Sequence, residues 1–389
     1  MSTPDGEPES FPSLLLKQAA TARKDYFRDF LVGHAHIQKA SDQLLKAALD
    51  PGDAAFVMLI GPTGSGKTTI GHWLAGKLAE QWQAGNRSSG EIPCVEVTVM
   101  SPEYGRFDWI DHYQDVLDGL KDPFNHQRSA RPARDIRRAM ENSLRQRKPI
   151  AILADEAQQF GKTGSGKRLT DQLDHLKAIG DRTGVLYVLL GTYELVPFRA
   201  VNAQLGRRSI DIHLRRYDAR QSADLRHFKS VVWAFQRNLP VYEEPHLTDV
   251  EWEYLYSRSI GCVGTLKQWL RRALALSLEE GGKVKGRTIT HKHLAETAPS
   301  VDKATQAIND ASIGELAMVE SQTKIDQLME LVGLGSSKTR GAGKNTAPPQ
   351  VPATAATPTA TDEKPKRRAT NRRVGERKPQ RDPIADVAE

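Results

Sequence analysis

A glycine-rich segment beginning at Gly61 has the residue types and the spacing of a phosphate-binding loop. It fits the pattern G-x-x-x-x-G-K-[ST] at every fixed position and reads Gly61, Pro62, Thr63, Gly64, Ser65, Gly66, Lys67 and Thr68, followed by Thr69. Such a loop points several backbone N–H groups at one place, which suits a polyphosphate. The Lys67 ammonium would neutralise the β- and γ-phosphates, and the Thr68 hydroxyl would hold Mg²⁺. We therefore predict that this segment binds a nucleoside triphosphate, ATP, together with Mg²⁺.

The alternative is a chance match in a glycine-rich loop. An apolar run at 56–60 predicts a buried strand directly before the loop, and apolar residues at helical spacing over 69–83 predict a helix directly after it. A strand, a loop and a helix in this order form the context in which the pattern has physical meaning. The context favours the phosphate-binding loop.

Two acidic residues, Asp155 and Glu156, follow an apolar strand at 150–154. Asp155 at the tip of the strand is predicted to hold Mg²⁺ through water, and Glu156 to orient and polarise an attacking water. The alternative is a pair of solvated acids after a strand. The phosphate-binding loop upstream favours the catalytic interpretation.

Four more residues are candidates for completing this site. Thr192 follows a strand at 185–190 and is a candidate sensor of the γ-phosphate, although a loop threonine is commonly a turn residue. Arg207 and Arg208 precede a short strand, where one arginine could reach the γ-phosphate of a neighbouring subunit. The sequence does not choose between the two, and paired surface arginines are usually solvated. Lys267, at the start of a later helix, is a candidate sensor cation, with a purely structural role as the alternative.

A second glycine–lysine segment lies at 161–168. It ends in Arg168 rather than Ser or Thr, so it cannot supply a hydroxyl to a metal ion, and no strand runs directly into it. We interpret it as a flexible basic surface loop, which leaves residues 61–68 as the one predicted catalytic phosphate loop.

Strands alternate with helices through the first part of the chain. The predicted strands are 56–60, 92–100, 150–154, 185–190 and 210–214. This order predicts βαβ units and a five-stranded parallel sheet covered by helices on both faces. Beyond about residue 223 the strand signal stops. There Thr248 with Glu251, and Thr265 with Gln268, predict capping boxes that open two helices.

The predicted domain organisation therefore has five parts. They are an N-terminal extension (1–30), an α/β nucleotide-binding domain (31–222), a small helical lid (223–299), a C-terminal helical segment (300–335) and a disordered basic tail (336–389). The tail is rich in Pro, Ala and Thr and has almost no large apolar residue, so it cannot offset the entropy of folding.

Charge is unevenly distributed along the chain. Of the formal net charge of +7, the tail contributes +6, from twelve Lys or Arg against six Asp or Glu. Residues 121–148 hold a further nine basic residues against three acidic ones. Either region is a candidate for binding nucleic acid, and either is alternatively a solvated basic surface. The predicted DNA-binding residues are Arg106, Lys121, Arg128, Arg131 and Arg134.

Composition excludes several other classes of protein. The two cysteines, Cys94 and Cys262, are far apart and show neither a disulfide framework nor a metal-binding pattern. No apolar run approaches the roughly 18 residues that a membrane helix needs, and the start of the chain lacks a signal-peptide pattern. We expect a soluble cytoplasmic protein.

The order of these motifs resembles that of the AAA+ ATPases. The details look like the transposon-encoded TniB/TnsC/MuB group over about residues 28–298. The residues that carry this closer likeness are the lead-in from Phe30 to Leu45, the turn from Gly191 to Glu194 and the segment from Gln204 to Arg208. The resemblance implies the AAA+ P-loop NTPase fold.

The same resemblance implies an ATP-dependent regulator of DNA transposition, nucleoid-associated in a bacterial cell. Such proteins assemble on duplex DNA as a ring or helical homo-oligomer with ATP at the subunit junctions, mark the target and recruit the transposase. Hydrolysis then releases or remodels the assembly. A target-selector protein is a further partner that the resemblance allows.

Two other functions remain open at this point. One is a different AAA+ machine, such as a replication initiator or a helicase loader, although an initiator usually adds a winged-helix domain after the lid. The other is a nucleotide-switched DNA-binding scaffold with negligible turnover. Glu156 argues against the scaffold, because binding alone does not require an acid that orients water.

Overall fold

The computed structural model describes most of the chain. The described residues are 10–85, 88, 90–102, 105, 107–123, 132–162, 169–200, 208–280, 286–319 and 322–332. The chain divides into two compact units, Met1–Ile325 and Asp326–Glu389. The sheet, its covering helices and the lid all belong to the first unit. No helix of the described residues is long and apolar enough to cross a membrane.

Five parallel strands form one sheet, as the sequence predicts. In chain order they are β1 (Phe56–Ile60), β2 (Cys94–Thr98), β3 (Ala151–Asp155), β4 (Leu186–Gly191) and β5 (Ser209–His213). Their order across the sheet is β2-β3-β4-β1-β5. Ile60 pairs with both Gly191 and His213, and Thr98 pairs with Asp155, so the carboxyl ends of all five strands share one edge. The loops that leave this edge therefore lie side by side.

Helices cover both faces of the sheet. They are α2 (Ala35–Leu49) and α3 (Lys67–Ala84) on one face and α4 (Trp109–Gly119), α5 (Ala133–Arg147) and α6 (Leu169–Thr183) on the other. Alternate residues of β1 belong to different buried clusters: Leu59 lies in the cluster that contains Leu74 of α3, whereas Met58 lies in the cluster that contains Val116 of α4. Every residue of β1 is buried, as expected of a central parallel strand.

The helical lid follows β5. It consists of α7 (Ser222–Asn238), a π-helical turn (Leu247–Glu251), α8 (Trp252–Ser259), α9 (Val263–Glu279) and α10 (His291–Thr297). Its core holds Phe235 and Trp269, and it also holds Phe27 from α1 (Ala20–Asp29). Arg23 of α1 donates hydrogen bonds to the carbonyl oxygens of Pro240, at 2.7 Å, and Gly286, at 3.0 Å. The helix α1, which lies in the segment predicted as an N-terminal extension, therefore packs against the lid.

Both predicted capping boxes are wrong. Thr248 gives its backbone N–H and its hydroxyl to the side-chain oxygen of Gln236, at 2.9 and 3.1 Å, and α8 begins four residues later. Thr265 lies inside the first turn of α9, because that helix begins at Val263. The capping box that does form joins Thr290 and His293 at the start of α10.

A further helix, α11 (Val301–Met318), packs against the α/β domain. Its Glu315 forms an ion pair with the buried Arg216, which follows β5, at 3.1 Å. Gly314 lies against the ring of Tyr193, where a Cβ atom would collide. The last described helix, α12 (Gln322–Leu331), completes the helical segment that the sequence predicts after the lid.

Candidate nucleotide-binding site

The predicted phosphate loop joins β1 to α3. Gly66 caps α3 with φ +105°, and Gly64 has φ +76°, a backbone conformation that L side chains rarely adopt. The Ser65 hydroxyl donates to the carbonyl oxygen of Pro62 over 2.8 Å and closes the turn. The loop therefore leads directly into the first turn of α3, whose N–H groups have no partner within the helix. Unpaired N–H groups at a helix N-terminus are the arrangement that binds phosphate.

Lys67 is the first residue of α3 and is only 8% exposed. Its ammonium donates to the carbonyl oxygens of Gly61 and Pro62, at 3.0 and 2.8 Å. Burial lowers the pKa of Lys67, while Glu156 and Asp155 raise it. The two groups that accept its hydrogen bonds are neutral, so an anionic phosphate would supply the countercharge that a buried cation needs.

Thr68 and Asp155, the two predicted Mg²⁺ ligands, are in contact at the edge of the sheet. The Thr68 hydroxyl donates to Asp155 Oδ2 over 2.6 Å. Both groups are oxygen donors of the kind that Mg²⁺ prefers. Within the described ranges, no three His, Cys, Asp or Glu residues cluster so as to hold a metal ion by themselves. A bound Mg²⁺ would therefore take its other ligands from phosphate oxygens and water, which is usual for this ion.

Glu156 stands at the start of a short 3₁₀ helix (Ala157–Gly161) in an unusual backbone conformation. Its φ of +55° lies in the left-handed region, which costs free energy for a residue with a side chain. Its backbone N–H donates to Asp155 Oδ1 over 2.8 Å. Its carboxylate accepts a hydrogen bond of 2.6 Å from Gln158 Nε2. The two adjacent acids therefore have different side-chain partners: Thr68 donates to Asp155, and Gln158 donates to Glu156.

Thr192 follows β4 beside the phosphate loop, because the Gly61 N–H donates to the carbonyl oxygen of Gly191 over 3.2 Å. The Thr192 N–H donates to Gln158 Oε1 over 3.3 Å, and its hydroxyl accepts from the Glu194 N–H at 3.4 Å. The structure thus brings Lys67, Thr68, Asp155, Glu156 and Thr192 together at one edge of the sheet. Sequence reasoning missed Gln158, whose only signal is its position two residues after Glu156.

Arg208 lies at the opposite edge of the sheet, immediately before β5. Its guanidinium forms two hydrogen bonds with the Asp181 carboxylate, at 2.9 and 3.3 Å, and a third with the carbonyl oxygen of Asp53, at 2.9 Å. Arg207 lies outside the described residues. Arg208 is therefore held by groups of its own subunit.

Lys267 lies on α9, and its ammonium donates to the carbonyl oxygen of Arg28 over 2.7 Å. Burial lowers its pKa, and Asp29 raises it. Two residues just before it on α9 contact the phosphate loop instead. The N–H groups of Gly264 and Thr265 donate to the carbonyl oxygen of Gly64, at 2.8 and 3.3 Å. No local pattern in the sequence indicates this contact, which depends on how the lid folds back.

The predicted DNA-binding residues fall largely outside the described ranges, which include Lys121 and Arg134 but not Arg106, Arg128 or Arg131. The Arg134 side chain, on α5, is 69% exposed. Other arginines are paired with an acid: the buried Glu141 has Arg137, Arg145 and Arg182 within 4 Å. Part of the positive charge of this section is therefore neutralised within the fold.

Two other predicted basic regions are described little or not at all. The structure describes only Gly161 and Lys162 of the second glycine–lysine segment. The Lys162 ammonium donates to the Ser101 hydroxyl over 3.2 Å. The predicted disordered tail, 336–389, lies outside the described residues. Both interpretations remain predictions.

Comparison with known proteins gives a family match for part of the chain. Residues 50–198 match the family model described as an AAA domain. No curated protein matches the chain.

Similar solved structures include the ORC1 protein of Aeropyrum pernix in complex with DNA, with a TM-score of 0.50 and 14% identity over 82% of this chain and 76% of that one. The ORC2 protein of the same organism, in ADPNP–ADP complexes, has a TM-score of 0.49 and 15% identity over 83% of this chain and 86% of that one. Domain III of the replication initiation protein DnaA from Thermotoga maritima has a TM-score of 0.39 and 15% identity over 74% and 97% of the two chains. Identities this low speak to the fold alone. Residues 50–198 are thus similar to AAA domains, and the chain has the AAA+ P-loop nucleoside triphosphatase fold.

Proposed function

We propose that this protein hydrolyses ATP with Mg²⁺ and uses the bound nucleotide to assemble on duplex DNA as a regulator of DNA transposition. The observation that carries the ATPase part is the 2.6 Å contact between Thr68 and Asp155. It places a hydroxyl from the phosphate loop and a carboxylate from the tip of β3 at one point, with Glu156 next in the chain.

Each residue has a separate task in this proposal. Lys67 binds the β- and γ-phosphates, and Thr68 with Asp155 holds Mg²⁺, which when bound would neutralise negative charge on the phosphate oxygens. Glu156 orients the attacking water and withdraws its proton. Thr192 contacts the γ-phosphate from the neighbouring loop. The remaining requirement, a cation that stabilises the transferring phosphoryl group, is assigned to one of the two arginines, Arg207 or Arg208, of an adjacent subunit.

Two substitutions test the ATPase proposal by separating binding from hydrolysis. Lys67→Ala should abolish ATP binding. Glu156→Gln should keep ATP affinity and lower turnover by about 10²- to 10⁴-fold, the usual contribution of a positioned general base. Phosphate release and fluorescent-nucleotide titration measure the two properties. Turnover of the Glu156→Gln protein at the rate of the unsubstituted protein would remove Glu156 from its role.

Support for DNA as a partner comes from charge and from the similar structures. Arg134 and Lys121 are exposed in a section with a large excess of basic residues. ORC1 of Aeropyrum pernix, which shares the fold, is described in complex with DNA. Phosphate contacts from such side chains would give binding that depends on salt and little on sequence.

The transposition role rests on the motif resemblance to the TniB/TnsC/MuB group. A replication initiator is the second candidate, because the ORC1 structure shares the fold. In this chain the lid is followed by the helix α11, which packs back onto Tyr193 and Arg216. ATP-dependent capture of the cognate transposase on DNA by the Glu156→Gln protein would support the first role. Capture of a replicative helicase instead would support the second.

A further inference from the structure

Gln158 links the predicted water-orienting acid to the predicted phosphate sensor. The side chain of this residue is almost wholly buried, with 6% of the residue exposed. Its Nε2 donates to Glu156 Oε2 over 2.6 Å, and its Oε1 accepts the Thr192 N–H over 3.3 Å. A carboxylate can only accept and a backbone N–H can only donate, so the two partners fix the orientation of the amide. A primary amide meets both requirements at once.

The space around this amide is shaped by Gly191. A Cβ atom on Gly191 would lie 2.7 Å from Gln158 Oε1, so a side chain there would displace the amide. The carbonyl oxygen of the same Gly191 accepts the Gly61 N–H, which anchors the start of the phosphate loop. The bridge therefore lies directly against the element that binds phosphate.

The Glu156 carboxylate is not held in place by burial. Glu156 is an exposed residue at φ +55°, at the start of a short 3₁₀ helix. An exposed carboxylate on a tight turn has several rotamers available, and a hydrogen bond from a buried amide selects one of them. The buried position of Gln158 makes it a fixed reference for that carboxylate.

We propose that Gln158 is a positioning residue that couples Glu156 to the Thr192 turn. It does not touch the nucleotide and acts through Glu156. A γ-phosphate that contacts Thr192 would alter the hydrogen bond from the Thr192 N–H to Gln158 Oε1. Because the amide is rigid, a shift at Oε1 would also move Nε2 and with it the Glu156 carboxylate. The inference rests on the proposed ATPase function and adds a route by which phosphate binding reaches the hydrolytic acid.

The chain contains a matched control in the lid. Gln236 of α7 is also buried, with 8% of the residue exposed, and its side chain makes the same kind of bridge. Its Nε2 donates to Glu244 Oε1 over 2.8 Å, and its Oε1 accepts the Thr248 N–H over 2.9 Å. Removing either bridge leaves one N–H and one carboxylate without the amide, and removing Gln236 also leaves the Thr248 hydroxyl without its acceptor, so the loss of Gln236 should cost at least as much stability.

The experiment compares Gln158→Met with Gln236→Met, because methionine keeps the volume of glutamine and removes both hydrogen bonds. We expect Gln158→Met to lower kcat by roughly 10- to 100-fold, the usual effect of removing a group that orients an active-site residue, and to leave ATP affinity unchanged. Gln236→Met should lower the unfolding temperature at least as far and leave kcat unchanged. Equal kcat values for the two variants would overturn the proposal.

A second variant, Gln158→Glu, keeps the acceptor for Thr192 and places a second carboxylate against Glu156. A carboxylate cannot donate to Glu156, so kcat should fall about as far as in Gln158→Met although the acceptor for Thr192 is kept. A kcat equal to that of the unsubstituted protein would contradict coupling through Glu156, and this result decides the question if Gln158→Met does not fold.

A combination with Glu156→Gln separates this inference from the ATPase proposal. If Gln158 acts through Glu156, adding Gln158→Met to Glu156→Gln should cause no further loss in single-turnover rate. A further loss equal to that caused by Gln158→Met alone would overturn the coupling and would leave the ATPase proposal standing. Absence of Glu156-dependent turnover in the unsubstituted protein would overturn both.

Discussion

The Arg208 guanidinium is held by Asp181 and by the Asp53 carbonyl within its own subunit. Contact of this guanidinium with a phosphate in a neighbouring subunit would require breaking its bidentate ion pair with Asp181. We therefore expect Arg207 to act in trans. Arg207→Ala should lower turnover by about 10³- to 10⁵-fold, the usual effect of losing an arginine finger, and spare ATP affinity. Arg208→Ala should mainly lower the unfolding temperature.

Mixing variants tests the trans assignment. Arg207→Ala protein combined with Lys67→Ala protein creates some junctions that pair an intact phosphate loop with an intact arginine, so part of the turnover should return. If co-assembly is demonstrated and the mixture stays inactive, Arg207 does not act across a subunit boundary. Loss of turnover in Arg208→Ala alone, with Arg207→Ala active, would reverse the assignment.

The site residues that can be predicted from sequence are those with fixed spacing along the chain. Lys67 and Thr68 follow from the loop pattern, and Asp155 follows from its position at the end of an apolar strand. Gln158 and Gly264 cannot be found in this way, because their roles depend on contacts with Thr192 and Gly64, which are distant in the sequence. Lys267 is predicted at the phosphates because it opens a lid helix, but its ammonium binds the Arg28 carbonyl instead.

At the scale of elements, the lid contacts the phosphate loop through backbone atoms. The Gly264 N–H donates to the Gly64 carbonyl, and a Cβ on Gly264 would lie 2.7 Å from that oxygen. Gly264→Ala should push α9 away from the loop. We expect weaker ATP binding, measured by nucleotide titration, because the lid no longer closes on the phosphate site.

The matched control for this change is Gly76→Ala on α3. A Cβ on Gly76 meets no atom within 4 Å, and alanine stabilises a helix by about 1 kcal/mol relative to glycine. Gly76→Ala should leave ATP affinity unchanged and raise the unfolding temperature slightly. Unchanged ATP affinity in Gly264→Ala would show that the lid contact contributes nothing to binding.

Elements are predictable where local pattern and packing agree. The apolar run at 56–60 coincides with β1, and the predicted strand at 150–154 lies within one residue of β3 at each end. The predicted capping boxes are wrong because tertiary contacts compete for the same groups: Gln236 takes both donors of Thr248. The packing of Phe27 into the lid core is likewise invisible in the sequence, since no local pattern records which core a distant amphipathic helix will join.

At the scale of the whole molecule, positive charge is the feature that suggests a DNA surface. Substituting Arg128, Arg131 and Arg134 together by Gln should weaken binding about equally on unrelated duplexes. The slope of log affinity against log salt should fall by about 0.9 for each phosphate that the protein no longer neutralises. Arg137→Gln is the control, because this side chain faces Glu141 at 3.6 Å. An unchanged slope in the triple variant would show that this surface is only solvated.

Assembly on duplex DNA, driven by ATP bound at this site, is the central feature of the proposed function. Sedimentation velocity with duplex DNA, Mg²⁺ and either ATP or ADP tests it most directly. We predict large DNA-bound assemblies with ATP, assemblies that persist in Glu156→Gln, and none in Lys67→Ala. Assemblies of equal size in Lys67→Ala, or in the absence of nucleotide, would contradict it.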